Sequence, residues 1–160
     1  LLSMADEVHL GPAIEGLLGS FASGDKAAVC GVVGEERRER IKQTYAILTV
    51  GTQVLRLIEK PSNPPNEWMG TGLCIFREDM LDFLEQTPVN PYRGEREMPD
   101  WIQLAIDVGE RVEFFEVSQG YVNINYPDDL DAARDMLCDA AVKIPDRISD
   151  DVAPAARVAP

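Results

Sequence analysis

Five short apolar runs constrain this chain more than any other feature: KAAVCGVV (26–33), TYAILTV (44–50), QVLRLIEK (53–60), GTGLCIF (70–76) and RVEFFEV (111–117). Each has strand length, and segments of helical periodicity or turn chemistry separate them. Gly11-Pro12 opens a helix with Ile14, Leu17, Leu18 and Phe21 on one face, and Ser23-Gly24 ends it. Residues 35–42 read as a solvated charged link. Gly51-Thr52 between two strand runs signals a hairpin. Residues 61–68 and 88–97 are polar loops, and 77–86 is a short helix. Residues 98–110 form a helix with Trp101, Leu104, Ala105 and Val108 on one face and Gly109 as its left-handed stop. Residues 118–126 are strand or loop. Pro127 starts a last helix whose acidic first turn suits the helix dipole. Strands alternating with helices predict an α/β fold with a mixed, mostly parallel sheet flanked by helices. One domain over 1–142 and a flexible tail over 143–160 follow from the loss of pattern near Lys143.

In such sheets, ligands sit beyond the carboxyl ends of strands. That draws attention to the polar segments 5–9, 59–72, 92–97 and 120–129. Charge narrows the partners. With 15 basic against 28 acidic residues the net charge is −13, which disfavours nucleic acid and anionic membranes. Small phosphorylated ligands stay open, because a few placed cations and a divalent metal suffice for them. No apolar run approaches a membrane span, and no secretory signal is read, so the expectation is a cytoplasmic protein. Cys30, Cys74 and Cys138 are far apart and odd in number. They read as reduced thiols rather than metal ligands or disulfides.

Glu59-Lys60-Pro61 closes an apolar strand. A carboxylate there can accept from sugar hydroxyls, and an ammonium can meet a phosphate. The bland alternative is a surface ion pair. Asp6 has an alternative as a turn or cap residue, and Asn123 and Asn125 as groups pairing with backbone before Pro127. His9 reads as structural, Trp68 and Trp101 as packing. Tyr121 and Tyr126 read equally as pocket or core, and Arg93 as a solvated loop residue.

VLRLIEKP, a proline-rich loop, GTGLCIF, RGERE before a helix, and YVNINYPDDL form an ordered series over about residues 1–142. That series resembles the C-terminal, sugar-binding half of sugar-1-phosphate nucleotidylyltransferases, such as the glucose-1-phosphate thymidylyltransferases. The resemblance implies a nucleotidyltransferase-type sheet lacking its N-terminal nucleotide-binding portion. The implied reaction joins a sugar 1-phosphate to a nucleoside triphosphate and releases pyrophosphate. It implies that Glu59 binds sugar hydroxyls and that Lys60 is the catalytic cation at the sugar phosphate. Tyr45-Ala46 falls where the family commonly has Tyr-Gly, and the Ala46 methyl would crowd the sugar. Thr71 and Gly72 would leave room for the hexose, and Glu95 would be a second sugar carboxylate. Asp6 and Asn123 would hold Mg2+, and asparagine at the second position is more similar to the uridylyltransferases.

The family's glycine-rich triphosphate loop has no counterpart in these 160 residues, so the chain is expected to be a partial one. Two other readings stay open. One is a catalytically silent homologue for binding or homo-oligomer assembly. The other is a cytidylyltransferase for an alcohol phosphate such as phosphocholine.

Overall fold

The computed structural model describes residues 1–143. The expected tail over 143–160 therefore lies outside the described residues, apart from its first position. Among the described residues there are seven strands: β1 Glu7–Leu10, β2 Ala28–Gly34, β3 Tyr45–Val50, β4 Gln53–Glu59, β5 Trp68–Phe76, β6 Val112–Glu116 and β7 Gly120–Asn123. The helices are α1 Ile14–Ala22, α2 Arg38–Ile41, α3 Met98–Asp107 and α4 Pro127–Lys143, with a 3-10 helix over Glu78–Phe83. Part of the charged link is thus helical. Its last residue, Ile41, is fully buried, and that anchors the turn.

The mixed α/β class holds, but the mostly parallel sheet does not. β2, β5, β3, β4 and β6 close into a barrel in that order. Only β2–β6 is parallel; the β2–β5, β3–β5, β3–β4 and β4–β6 pairs are antiparallel. The cause is the connections. A parallel neighbour needs a crossover of a dozen or more residues, usually a helix. From Tyr45 to Phe76 the chain runs through β3, β4 and β5 with no helix between them. β1 and β7 form a separate antiparallel ribbon, with Glu7 opposite Asn123 and His9 opposite Tyr121.

β2 explains its own unbroken apolar run. Side chains alternate across a strand, and both faces of β2 are covered. Ala28, Cys30 and Val32 join a core with Tyr45, Ile47, Val54, Trp101 and Ile102, capped by α3. Val29 and Val33 face the other core, with Leu17, Ala46, Met69, Leu73 and Val117, capped by α1. Trp101 packs edge-on against Phe76 at 4.9 Å, and its indole N–H donates to the Met80 carbonyl at 2.7 Å. Trp68 lies 5.2 Å from Phe114. Both tryptophans are packing groups, as the sequence suggested.

Candidate functional site

The β1–β7 ribbon brings Asp6 and Asn123 to one corner. The Asp6 carbonyl accepts from the Ile124 amide at 2.7 Å, and Glu7 registers with Asn123. Asp6 is exposed. The Asn123 Oδ1 is buried and has no partner. An orphaned buried oxygen is costly and calls for a donor or a cation. Among the described residues no group of three or more His, Cys, Asp or Glu could hold a metal. Magnesium needs no such group, since it keeps several waters and takes much of its shell from phosphates.

Glu7, which sequence reading passed over, organises this corner. Its side chain is only 5% exposed. Its Oε1 accepts from the Gly72 amide at 2.7 Å and from the Tyr121 hydroxyl at 2.6 Å. Burial, and after it the Glu7 carboxylate, pushes the Tyr121 phenol well above its usual range, so it stays a neutral donor. One carboxylate therefore joins β1, β5 and β7. Its neighbour His9 lies 3.4 Å from Oε2 through Nε2, and its ring packs at a tilt against Tyr121, 5.1 Å between centroids. A side chain at Gly72 would overlap Met4, so the room that this glycine leaves is occupied by Met4. Thr71 is buried, with its hydroxyl donating to the Gly31 carbonyl at 3.0 Å and its own carbonyl accepting from Tyr45 at 3.0 Å. Ala46 is fully buried in the β3 core. Its methyl packs with apolar neighbours rather than standing at a surface.

The second group gathers where β4 ends. The Glu59 side chain is 18% exposed and Lys60 49%. Their charges lie 3.7 Å apart. Arg93, from the loop before α3, reaches Glu59 Oε1 at 3.4 Å and Glu97 Oε2 at 3.0 Å. So Arg93 is a clamp between two carboxylates rather than a solvated loop residue. Burial, followed by repulsion from Glu97, raises the Glu59 carboxyl above its ordinary range, against the pull of Lys60 and Arg93. Lys60 has φ 43°, the one non-glycine positive φ among the described residues. It also precedes Pro61, which restricts it further. Such strain persists only when the surroundings over-determine it, and it clusters at functional sites. Here the Lys60 amide donates to the Thr44 carbonyl at 2.6 Å. Glu95 stands apart on the exposed loop, where its main-chain oxygen accepts from Asn90 at 2.8 Å.

Thr44 links the two groups. It lines a cleft of about 320 Å³ together with Asn123, Asn125, Tyr126 and Asp129. A neighbouring hollow of about 590 Å³ shares Arg37, Arg40 and Tyr121 with it. Glu35 braces these arginines: Arg37 Nε donates to its Oε1 and Arg40 Nη1 meets its Oε2, both at 2.9 Å. Burial works against ionisation, yet the Arg37 hydrogen bonds and the Arg40 charge hold the Glu35 carboxyl below its usual range. Arg40 also donates to the Tyr121 carbonyl at 2.8 Å. The Asn125 and Tyr126 amides both donate to Asp129 Oδ2, at 2.9 and 2.8 Å, closing the turn into α4. Glu59-Lys60 and Asp6-Asn123 do not touch each other. Thr44, which takes the Lys60 amide, shares the cleft with Asn123.

Comparison with known proteins agrees with the series of motifs. A family model described as Nucleotidyl transferase matches residues 2–133. A low-salt glycan biosynthesis nucleotidyltransferase of Haloferax volcanii is 33% identical over 138 residues, 84% of this chain and 37% of that protein. A UTP–glucose-1-phosphate uridylyltransferase of the same organism is 30% identical over 86 residues, 53% of this chain and 35% of that protein. The chain thus spans about a third of the length of the curated relatives it matches. The fold resembles a UDP-glucose pyrophosphorylase complexed with UDP-glucose (TM-score 0.72, 13% identity, 86% of this chain and 55% of that one). It also resembles an inositol-1-phosphate CTP transferase from T. maritima (TM-score 0.65, 17% identity, 84% and 53%). With its motifs, its fold and a family match over most of its length in agreement, the chain belongs to the nucleotidyl transferase family.

Proposed function

We propose that this chain provides the sugar-phosphate side of a nucleotidylyltransferase that joins a sugar 1-phosphate to a nucleoside triphosphate and releases pyrophosphate. The observation that carries the reading is the Asp6–Asn123 corner, with its buried, unpartnered Oδ1, in a member of this family. In the reaction, a phosphate oxygen of the sugar attacks the α-phosphorus and pyrophosphate leaves. No general base is needed, because the nucleophile is already ionised; positioning and charge compensation do the work. Asp6 and Asn123 would hold Mg2+, which when bound offsets the charge of the approaching phosphates. Lys60 meets the sugar phosphate, and Glu59 accepts from sugar hydroxyls. Thr71, Gly72 and Ala46 are buried and would support the strands behind the sugar rather than touch it, and Glu95 is a second carboxylate for its hydroxyls.

The cations beside Glu59 support a sugar phosphate over an alcohol phosphate bearing a quaternary ammonium. Lys60 and Arg93 both flank that carboxylate and would repel such a cation. Choline recognition favours an aromatic cage instead.

Calorimetric titration with glucose 1-phosphate, with and without Mg2+, tests the reading, alongside pyrophosphate release with each nucleoside triphosphate. Binding is expected, and Glu59→Gln is expected to weaken it about tenfold or more, as a charge-assisted hydrogen bond is worth roughly 1.5–3 kcal/mol. Absence of sugar-phosphate binding by the unmodified chain, or equal binding by Glu59→Gln, would defeat it.

A further inference from the structure

We propose that Cys30 and Cys74 form a redox modification site, closing an intrachain disulfide between β2 and β5 when the protein meets a peroxide. The two cysteines are directly opposite in the antiparallel β2–β5 register. The hydrogen bonding shows which kind of opposite pair they are. Cys74 spends both main-chain groups on the far side of β5: its carbonyl accepts from Leu2 at 2.7 Å and its amide donates to Leu2 at 3.0 Å. On β2, the Val32 carbonyl accepts from Val117 at 2.9 Å, in line with β6. Cys30 lies two residues earlier, so its main-chain groups point the same way, away from β5.

Neither cysteine therefore bonds to the other through the backbone. They form the narrow, non-hydrogen-bonded kind of antiparallel pair, with Cα atoms about 4.5 Å apart and side chains close. A disulfide needs Cα atoms about 4.4–6.8 Å apart, so no strand has to move far. Both side chains lie in the same core cluster, so they project from the same face. The Cys74 thiol donates to the Ile75 carbonyl at 3.7 Å. The facing Cys30 thiol and then burial push the Cys74 thiol well above its usual range. Both thiols are fully buried, which slows their reaction in ordinary conditions, in contrast to the exposed Cys138.

The chemistry balances with the peroxide as oxidant. One thiolate attacks a peroxide oxygen, giving a sulfenic acid and water. The second thiol then attacks that sulfur, forming the S–S bond and releasing a second water. Two thiols lose two electrons and two protons, and the peroxide takes them. The bridge would fix β5 two residues beyond Gly72, whose amide Glu7 holds.

The test uses the full chain carrying Cys138→Ser, which removes the exposed thiol. One sample is treated with hydrogen peroxide while folded. Another is reduced, unfolded and refolded in a glutathione redox buffer. Each is then denatured with an alkylating reagent. The expected product is lighter by two hydrogens, takes no alkyl label until reduced, and yields one linked peptide containing residues 30 and 74. In Cys74→Ser the link should be absent, with Cys30 left labelled or capped by glutathione. Full alkylation of both thiols in the peroxide-treated folded sample overturns the proposal, whatever the refolded sample shows. So does oxidation to sulfinic acid with no linked peptide.

Discussion

At the residue scale, Glu59 and Asn123 share an energetic character: each is held in a state that the fold alone does not favour. Glu59 is a carboxylate in a partly dry place facing Glu97, and its folded carboxyl is raised. The folded protein therefore binds that proton more tightly than the unfolded chain. The resulting stability is present below the ordinary glutamate range, near about pH 4.3, and is lost as pH rises through the raised value. Glu59→Gln should melt at the same temperature as the parent or above it at pH 7, and the gap should close near pH 4, as read by circular dichroism. A variant that melts well below the parent at pH 7 would contradict this. Asn123 differs, because its Oδ1 has no partner to lose. Asn123→Ala should leave stability within about 1 kcal/mol while raising the Mg2+ concentration needed for sugar-phosphate binding or turnover. Asn123→Asp should restore the response, since a carboxylate oxygen takes the same position. If Asn123→Ala showed an unchanged Mg2+ dependence, the metal role would pass to Asn125 or be dropped.

At the element scale, the start of β2 is pinned by a buried ion pair. Lys26 Nζ lies 3.1 Å from Glu113 Oε2, with 5% and 7% of the two side chains exposed. Lys26 also donates to the Ser20 carbonyl at the end of α1, and Arg111 takes the second Glu113 oxygen at 2.5 Å. Glu113 pairs in register with Gln53, where β4 meets β6 and the barrel closes. Breaking a buried pair strands a charge and costs about 3–5 kcal/mol. Glu113→Ala should therefore cost that much in denaturant unfolding, whereas Arg111→Ala, which removes an exposed partner, should cost about 1 kcal/mol or less. The Lys26–Glu113 pair was invisible in the sequence, because it joins residues far apart in the chain. What was legible was local. The hairpin at Gly51, the stop at Gly109 and the continuous apolar β2 each follow from neighbouring residues. The strand directions were not legible, since periodicity says that a segment is extended but not which neighbour it takes. The same limit divides the candidate site. Asp6 and Asn123 stand out by motif and lie at adjacent register positions of the β1–β7 ribbon, with Asn123 opposite Glu7. Glu7, Arg40 and Glu35 looked like ordinary surface charges, and only the fold turns them inward.

At the scale of the whole molecule, two electrostatic effects oppose each other with pH. A net charge of −13 makes the compact state repel itself at neutral pH, and acidification relieves that. Glu59 adds to the same trend. Glu35 and Glu113 act the other way. Burial disfavours their charge, but the Arg37, Arg40, Lys26 and Arg111 partners win and hold both carboxyls below the ordinary range. A depressed carboxyl contributes stability above its unfolded value and loses it as pH falls through its folded value. Stability should then rise from pH 8 to about pH 5 and drop below about pH 4. Salt separates the causes. The repulsion acts between exposed charges over distances that about 0.5 M salt screens, while the paired, buried carboxylates are screened far less. Melting curves from pH 3 to 8 should therefore lose most of their neutral-side slope in added salt and keep the acid limb. Glu35→Gln should flatten that limb, because glutamine has no proton to gain and no charge for Arg37 and Arg40 to hold. An acid limb that vanished in salt, or that survived unchanged in both Glu35→Gln and Glu113→Gln, would show that general surface charge and not these two hubs sets the acid stability of the protein.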